Sequence, residues 1–209
     1  MANRPDFSQY LVHFTAERPP CSSKTEIGIT NFSEMTAYDK LLSILTSKRI
    51  KASLMPWTGS LAACFTECPW SSLIEHTTNY SPYGIGFKKN YVFSKNGGPV
   101  YYIRADEYKK QEKWHDHIKP FLTPFCPKYA PQRVKLSLDG KVCDYSHERE
   151  WRVPHDFPFE LEKVSFIVLN TYEDMARFPK ELKDIIGREK FILMENYKKI
   201  EQLWPVHLL

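Results

Sequence analysis

No run in this 209-residue sequence approaches the roughly 20 consecutive apolar residues that a membrane-crossing helix needs, so nothing in it reads as a transmembrane segment. The opening, MANRPDFSQY, lacks the apolar core of a secretion signal, and the expected compartment is the cytoplasm. Cysteine is sparse: Cys21, Cys64, Cys68, Cys126 and Cys143 are odd in number and irregular in spacing, the pattern of reduced thiols and not of a disulfide framework. Cys64 and Cys68 in CFTEC have no second close pair, which disfavours a zinc site completed by His76. His115 and His117 in WHDHI lie among lysines before Pro120 and read as a solvated connector. Glycine is scarce as well. Gly84 and Gly86 in YGIGFKK have no third glycine at the dinucleotide-binding spacing, and no helix is expected to open there. They are read as points where another backbone or a ligand comes close. A surplus of one charge is also missing: 29 basic against 25 acidic residues leave +4, compatible with a polyanionic partner but too small to predict one.

What is present is the composition of one globular domain, 42% hydrophobic and 14% aromatic, spanning residues 1–209. YLVHFTA predicts a first strand with Leu11, His13 and Thr15 on one face and Val12 and Phe14 on the other. Met35, Tyr38, Leu41, Leu42 and Leu45 recur at helical spacing, with Ser33 or Thr36 as cap and Lys48 and Arg49 at the carboxyl end. SLAACFTE predicts a short buried strand, and WSSLIEHTTNY a second helix begun by Pro69. A hairpin is expected next, with one strand from Gly84 to Phe93, a turn at Asn96, Gly97 and Gly98, and a return from Val100 to Arg104. The proline-rich segment 105–141 reads as a helix followed by a lid or irregular insertion. KVSFIVLN is a buried strand, TYEDMARFPKELKDIIG a helical stretch interrupted at Pro179, and KFILMENY a last strand with a short tail helix. The sum is α+β: a mostly antiparallel or mixed sheet flanked by a few helices.

The segment CDYSHEREWRVPHDFPF gathers more ionisable groups than any other. Pro154 disfavours a helix before it, so Tyr145 to Val153 is expected as a strand. Alternation would put Tyr145, His147, Arg149, Trp151 and Val153 on a core-facing side. Ser146, Glu148, Glu150 and Arg152 would face the other way, with the two carboxylates about 7 Å apart. The plain structural reading is that Glu148 and Glu150 pair with Arg149, Arg152 or a lysine of a neighbouring strand.

Four pieces in order, the HFT opening, LLSILTSKRIKAS, CFTE, and YGIGFKK before EREWRV, resemble the AbiGi-type abortive-infection proteins of bacteria. The same order is similar to that of ADP-ribosyltransferases, including the DarT-like toxins, in which an early strand carries His or Arg and a late strand a catalytic Glu. In their arginine-type branch the late strand reads Glu-x-Glu, which Glu148 and Glu150 match. The aromatic-Ser-Thr-Ser motif of that branch has Phe65 and Thr66 as its counterpart. The resemblance implies an ADP-ribosyltransferase-like fold with NAD as substrate. Glu150 would stabilise a ribosyl cation, because a fixed carboxylate offsets charge that develops on the sugar. Glu148 would orient the acceptor. His13 and Thr15 would bind the adenosine ribose and the nicotinamide amide, Phe65 or Tyr83 would stack on the nicotinamide, and Arg49 or Lys51 would meet the pyrophosphate. Thr66 completes the proposed cofactor-binding set.

Two other classes are expected alternatives. One is a nuclease in which Glu148, Glu150, Asp144 and Asp156 bind a divalent metal. The other is a non-catalytic interaction module, such as the antitoxin half of a two-protein defence system, with its charged strand as a contact surface. The corresponding partners are a protein or nucleic-acid acceptor, or a partner protein from the same defence operon; no membrane is involved.

Overall fold

The computed structural model describes residues 8–16, 35–67, 80–111 and 113–203, and the structural statements below concern these. In chain order, β1 (Tyr10–Phe14) is followed by α1 (Ala37–Ser47), β2 (Arg49–Ile50), β3 (Ser53–Leu54), β4 (Leu61–Phe65), β5 (Gly84–Lys88), α2 (Lys89–Ser94), β6 (Gly98–Pro99), β7 (Tyr101–Arg104) and α3 (Ala105–Lys110). Then come β8 (Leu122–Phe125), α4 (Gln132–Leu136), β9 (Trp151–Val153), β10 (Phe157–Pro158), β11 (Val164–Leu169), α5 (Tyr172–Arg177), α6 (Lys180–Ile186), β12 (Phe191–Leu193) and α7 (Met194–Leu203). The architecture is α+β. One four-stranded sheet has the order β1-β5-β11-β12 and a second the order β3-β4-β9-β6; β2 pairs with β10 and β7 with β8. The two larger sheets meet where Val12 and Thr66 exchange both main-chain hydrogen bonds, at 2.9 and 2.8 Å.

Helix α1 forms for the reasons its sequence implies. Thr36 caps it by accepting from the Asp39 N–H at 3.1 Å. Ala37, Tyr38, Leu41 and Leu45 give it one buried stripe, and Lys48 ends it in the left-handed region, at φ 51°. Ser33, the other candidate cap, lies outside the described residues. The helical stretch after β11 divides at Pro179 as expected, with Thr171 and Asp174 closing a capping box on α5. The tail helix begins earlier than expected, at Met194. Between the layers, Phe65, Phe87 and Phe157 pack edge to face with centroids 5.1–6.3 Å apart, the centre of the main core.

Three expectations are corrected. The hairpin does not form. Strand β5 takes β1 on one edge and β11 on the other, so both hydrogen-bonding edges are filled. The chain leaves β5 as helix α2, β6 pairs with β9, and β7 runs parallel to β8. The glycines of β5 make room for aromatic rings: a Cβ on Gly86 would lie 2.4 Å from the Phe166 ring, and one on Gly84 2.9 Å from the Phe14 ring. Each aromatic is the cross-strand partner of the glycine it covers.

The third correction concerns the charged segment. Only Trp151–Val153 is strand, Ser146–Glu148 is a 3-10 turn, and Arg149 lies in the left-handed region at φ 45°. Alternation therefore fails before Trp151. Tyr145 and His147, expected to face the core, are exposed. The turn is held by its main chain instead: the Glu148 carbonyl accepts from Thr66 Oγ1 at 2.6 Å and from the Glu67 N–H at 3.2 Å. Segment 105–141 carries α3, β8 and α4 around a small core of its own that contains Ala105, Cys126, Val134 and Leu138. Pro124 fits in β8 because that strand has a neighbour on one side only. The second helix expected at WSSLIEHTTNY falls almost wholly outside the described residues.

Candidate functional site

A cleft of about 330 Å³ opens where the two sheets meet. Its floor comes from the β1–β4 junction, which contributes His13, Phe65 and Thr66; Glu148 and Glu150 enter from the turn and the start of β9. Five of the expected site residues thus line one cavity. Three do not. The Thr15 hydroxyl is buried and donates to the Ala37 carbonyl at 2.8 Å, tying the end of β1 to α1. The Tyr83 hydroxyl donates to Asp174 at 3.0 Å while its ring packs edge-on against Tyr38. Burial, then the neighbouring Asp174, pushes the Tyr83 phenol up to about 12. Arg49 is exposed and pairs with Asp156 at 3.6 Å, and Lys51 is exposed beside it.

His13 is held in one tautomer. Its Nδ1 lies 2.8 Å from the Cys64 carbonyl, which can only accept, so Nδ1 carries the proton and Nε2 the lone pair in the neutral ring. Burial lowers its pKa, and the bond to the Cys64 carbonyl offsets that only in part. The floor of the cleft is therefore uncharged at neutral pH.

The two glutamates differ. Glu150 gives both carboxylate oxygens to Arg152, which donates from Nε and Nη2 at 2.8 Å each. Arg152 is buried and its other donors are engaged, with Nη1 on the Pro120 and Leu122 carbonyls at 3.0 Å and Nη2 also on Thr123 Oγ1 at 2.8 Å. Burial works against the guanidinium charge, but Glu150 outweighs it and the Arg152 pKa is raised. The Glu150 charge is thus neutralised within the fold. Glu148 instead accepts from the Tyr80 hydroxyl at 2.5 Å. Burial first, and then the Glu150 charge, push the thiol of Cys64, also in the wall, well above its ordinary range, which disfavours its thiolate at neutral pH.

The expected pairing of Glu150 with Arg152 is present, and it brings Arg152 into the cleft wall. Sequence reasoning missed the cleft aromatics Trp57, Tyr80 and Tyr145. The aromatics come from loops and a turn, with no period to find them by. For the metal reading, Asp156 accepts from the Ala52 N–H at 2.9 Å and Asp144 from the Ser146 hydroxyl at 2.7 Å. No three metal-type side chains converge among the described residues. Cys68 and His76 lie outside those residues. His115 and His117 stack on each other with centroids 5.6 Å apart in an exposed turn.

Residues 43–122 match the model of a protein family described as "Putative abortive phage resistance protein AbiGi, antitoxin". No curated protein and no solved structure matches the chain. The matched stretch includes Phe65 and Thr66 of the cleft floor but neither His13 nor the two glutamates. No described helix is long and apolar enough to cross a membrane.

Proposed function

We propose that this chain is the non-catalytic, partner-binding component of a bacterial phage-defence pair, the antitoxin that holds a toxic partner protein inactive. The observation that carries the reading is the closed Glu150–Arg152 pair. A carboxylate that stabilises a ribosyl cation must present uncompensated charge to the sugar. Here both oxygens already face a buried guanidinium, so the acid best placed for that role is part of the scaffold. The similarity of residues 43–122 to an antitoxin family supports the same assignment. The test is co-expression with the product of each neighbouring gene of the same operon. One product is expected to arrest growth alone and to be neutralised by this chain, in a complex that survives purification. Growth arrest by this chain alone would overturn the reading.

A second reading, an NAD-dependent ADP-ribosyltransferase-like effector, is favoured by one observation: His13, Phe65, Thr66, Glu148 and Glu150 line a single cleft. In that role Glu150 would leave Arg152 when NAD binds, and Glu148 would orient a protein or nucleic-acid acceptor. Nicotinamide release by the purified chain, lost in Glu150→Gln, separates this reading from the first.

A further inference from the structure

The small core under segment 105–143 contains two cysteines that no role above uses. Cys126 follows β8, and Cys143 begins the segment that leads to the Glu148 turn. They face each other in an isolated antiparallel bridge in which each N–H donates to the other's carbonyl, at 2.9 and 2.8 Å. A pair that exchanges both bonds keeps its Cα atoms about 5.5 Å apart. That lies within the roughly 4.4–6.8 Å Cα span of disulfides, and the wider Cβ spacing of a hydrogen-bonded pair closes by about 1 Å when the bond forms. Both thiols are free and buried, packed with Ala105, Ala130, Val134 and Leu138. Burial, and next the nearby Cys126 sulfur, push the Cys143 thiol up to about 11.

We propose that Cys126 and Cys143 are the two ends of a reversible intramolecular disulfide, reduced at rest and closed by a small hydroperoxide able to enter the core. The inference is independent of the functional reading above. One thiolate attacks a peroxide oxygen, giving a sulfenic acid and water; the second sulfur then displaces the sulfenic hydroxyl, which leaves as water. Two thiols and one hydrogen peroxide become one disulfide and two waters, the peroxide taking the two electrons. Because the thiolate and not the thiol reacts, the rate rises with pH. The bond closes the loop 126–143 and fixes the foot of the turn that presents Glu148. It also restricts the unfolded chain.

The experiment treats the full chain with hydrogen peroxide, alkylates the remaining thiols and maps peptides without reduction. The expected result is a peptide pair joining Cys126 to Cys143 and a melting temperature higher by roughly 5–10 °C, both reversed by dithiothreitol. Neither change is expected in Cys126→Ala or Cys143→Ala. The mapping on the wild-type chain decides the proposal even if a variant folds poorly. It is overturned if both cysteines remain alkylatable, if they end as separate sulfinic acids, or if they link to other cysteines.

Discussion

Two arginine–carboxylate pairs in this chain have similar bond lengths and hold together different things. Arg152 meets Glu150 at 2.8 Å with side chains only 5% and 12% exposed, and Arg188 meets Asp184 at 2.8 Å with side chains 55% and 50% exposed. The first pair joins β9 to the Pro120–Thr123 segment and closes one wall of the cleft. The second decorates the end of α6. Charge in water is screened and loosely held, whereas charge out of water must find every partner it needs. A buried pair therefore sets the shape of its surroundings.

The comparison sharpens most at Arg152. Arg152→Ala takes its main partner from the part-buried Glu150 carboxylate and removes the donor from two carbonyls and a hydroxyl. It is expected to lower the unfolding free energy by about 3–5 kcal/mol in urea titrations. The cleft floor gives the next effect. The His13 pKa is lowered in the folded state, so the unfolded chain binds the proton more readily. Its contribution is full above the unfolded value of about 6.5 and is lost as pH falls towards the folded pKa, by at most about 1.4 kcal/mol per unit. Urea midpoints at pH 7.5 and 5.5 should show this loss, and His13→Gln should reduce it. Arg188→Ala comes last, with a change of under about 0.5 kcal/mol. A loss at Arg188 equal to that at Arg152 would break the comparison.

The sequence made some of this legible and not the rest, for physical reasons. Helix α1 and strand β11 show in their apolar periods, and Pro179 marks its own break. The meeting of His13 with the glutamates was expected only from the resemblance in motif order, and no local period carries it. Strand β5 was misread because its partners, β1 and β11, lie far away in sequence, and local alternation cannot report which edges are filled. The run 145–150 was misread because a 3-10 turn ending in a left-handed Arg149 carries no compositional sign. The burial of Arg152 was hidden for a related reason. Its partners at 120–123 lie on a segment whose prolines suggested an irregular insertion, whereas the folded chain presents two carbonyls and a hydroxyl there.

The most direct measurement is a double-mutant cycle on Glu150→Gln and Arg152→Met, read by urea unfolding of the two single variants, the double variant and the wild type. If the Glu150 charge is committed to Arg152, the two changes couple by more than about 2 kcal/mol, and the double variant is more stable than Arg152→Met alone. Additive losses, with coupling under about 0.5 kcal/mol, would show that Glu150 stands free of Arg152 in solution and would contradict the account.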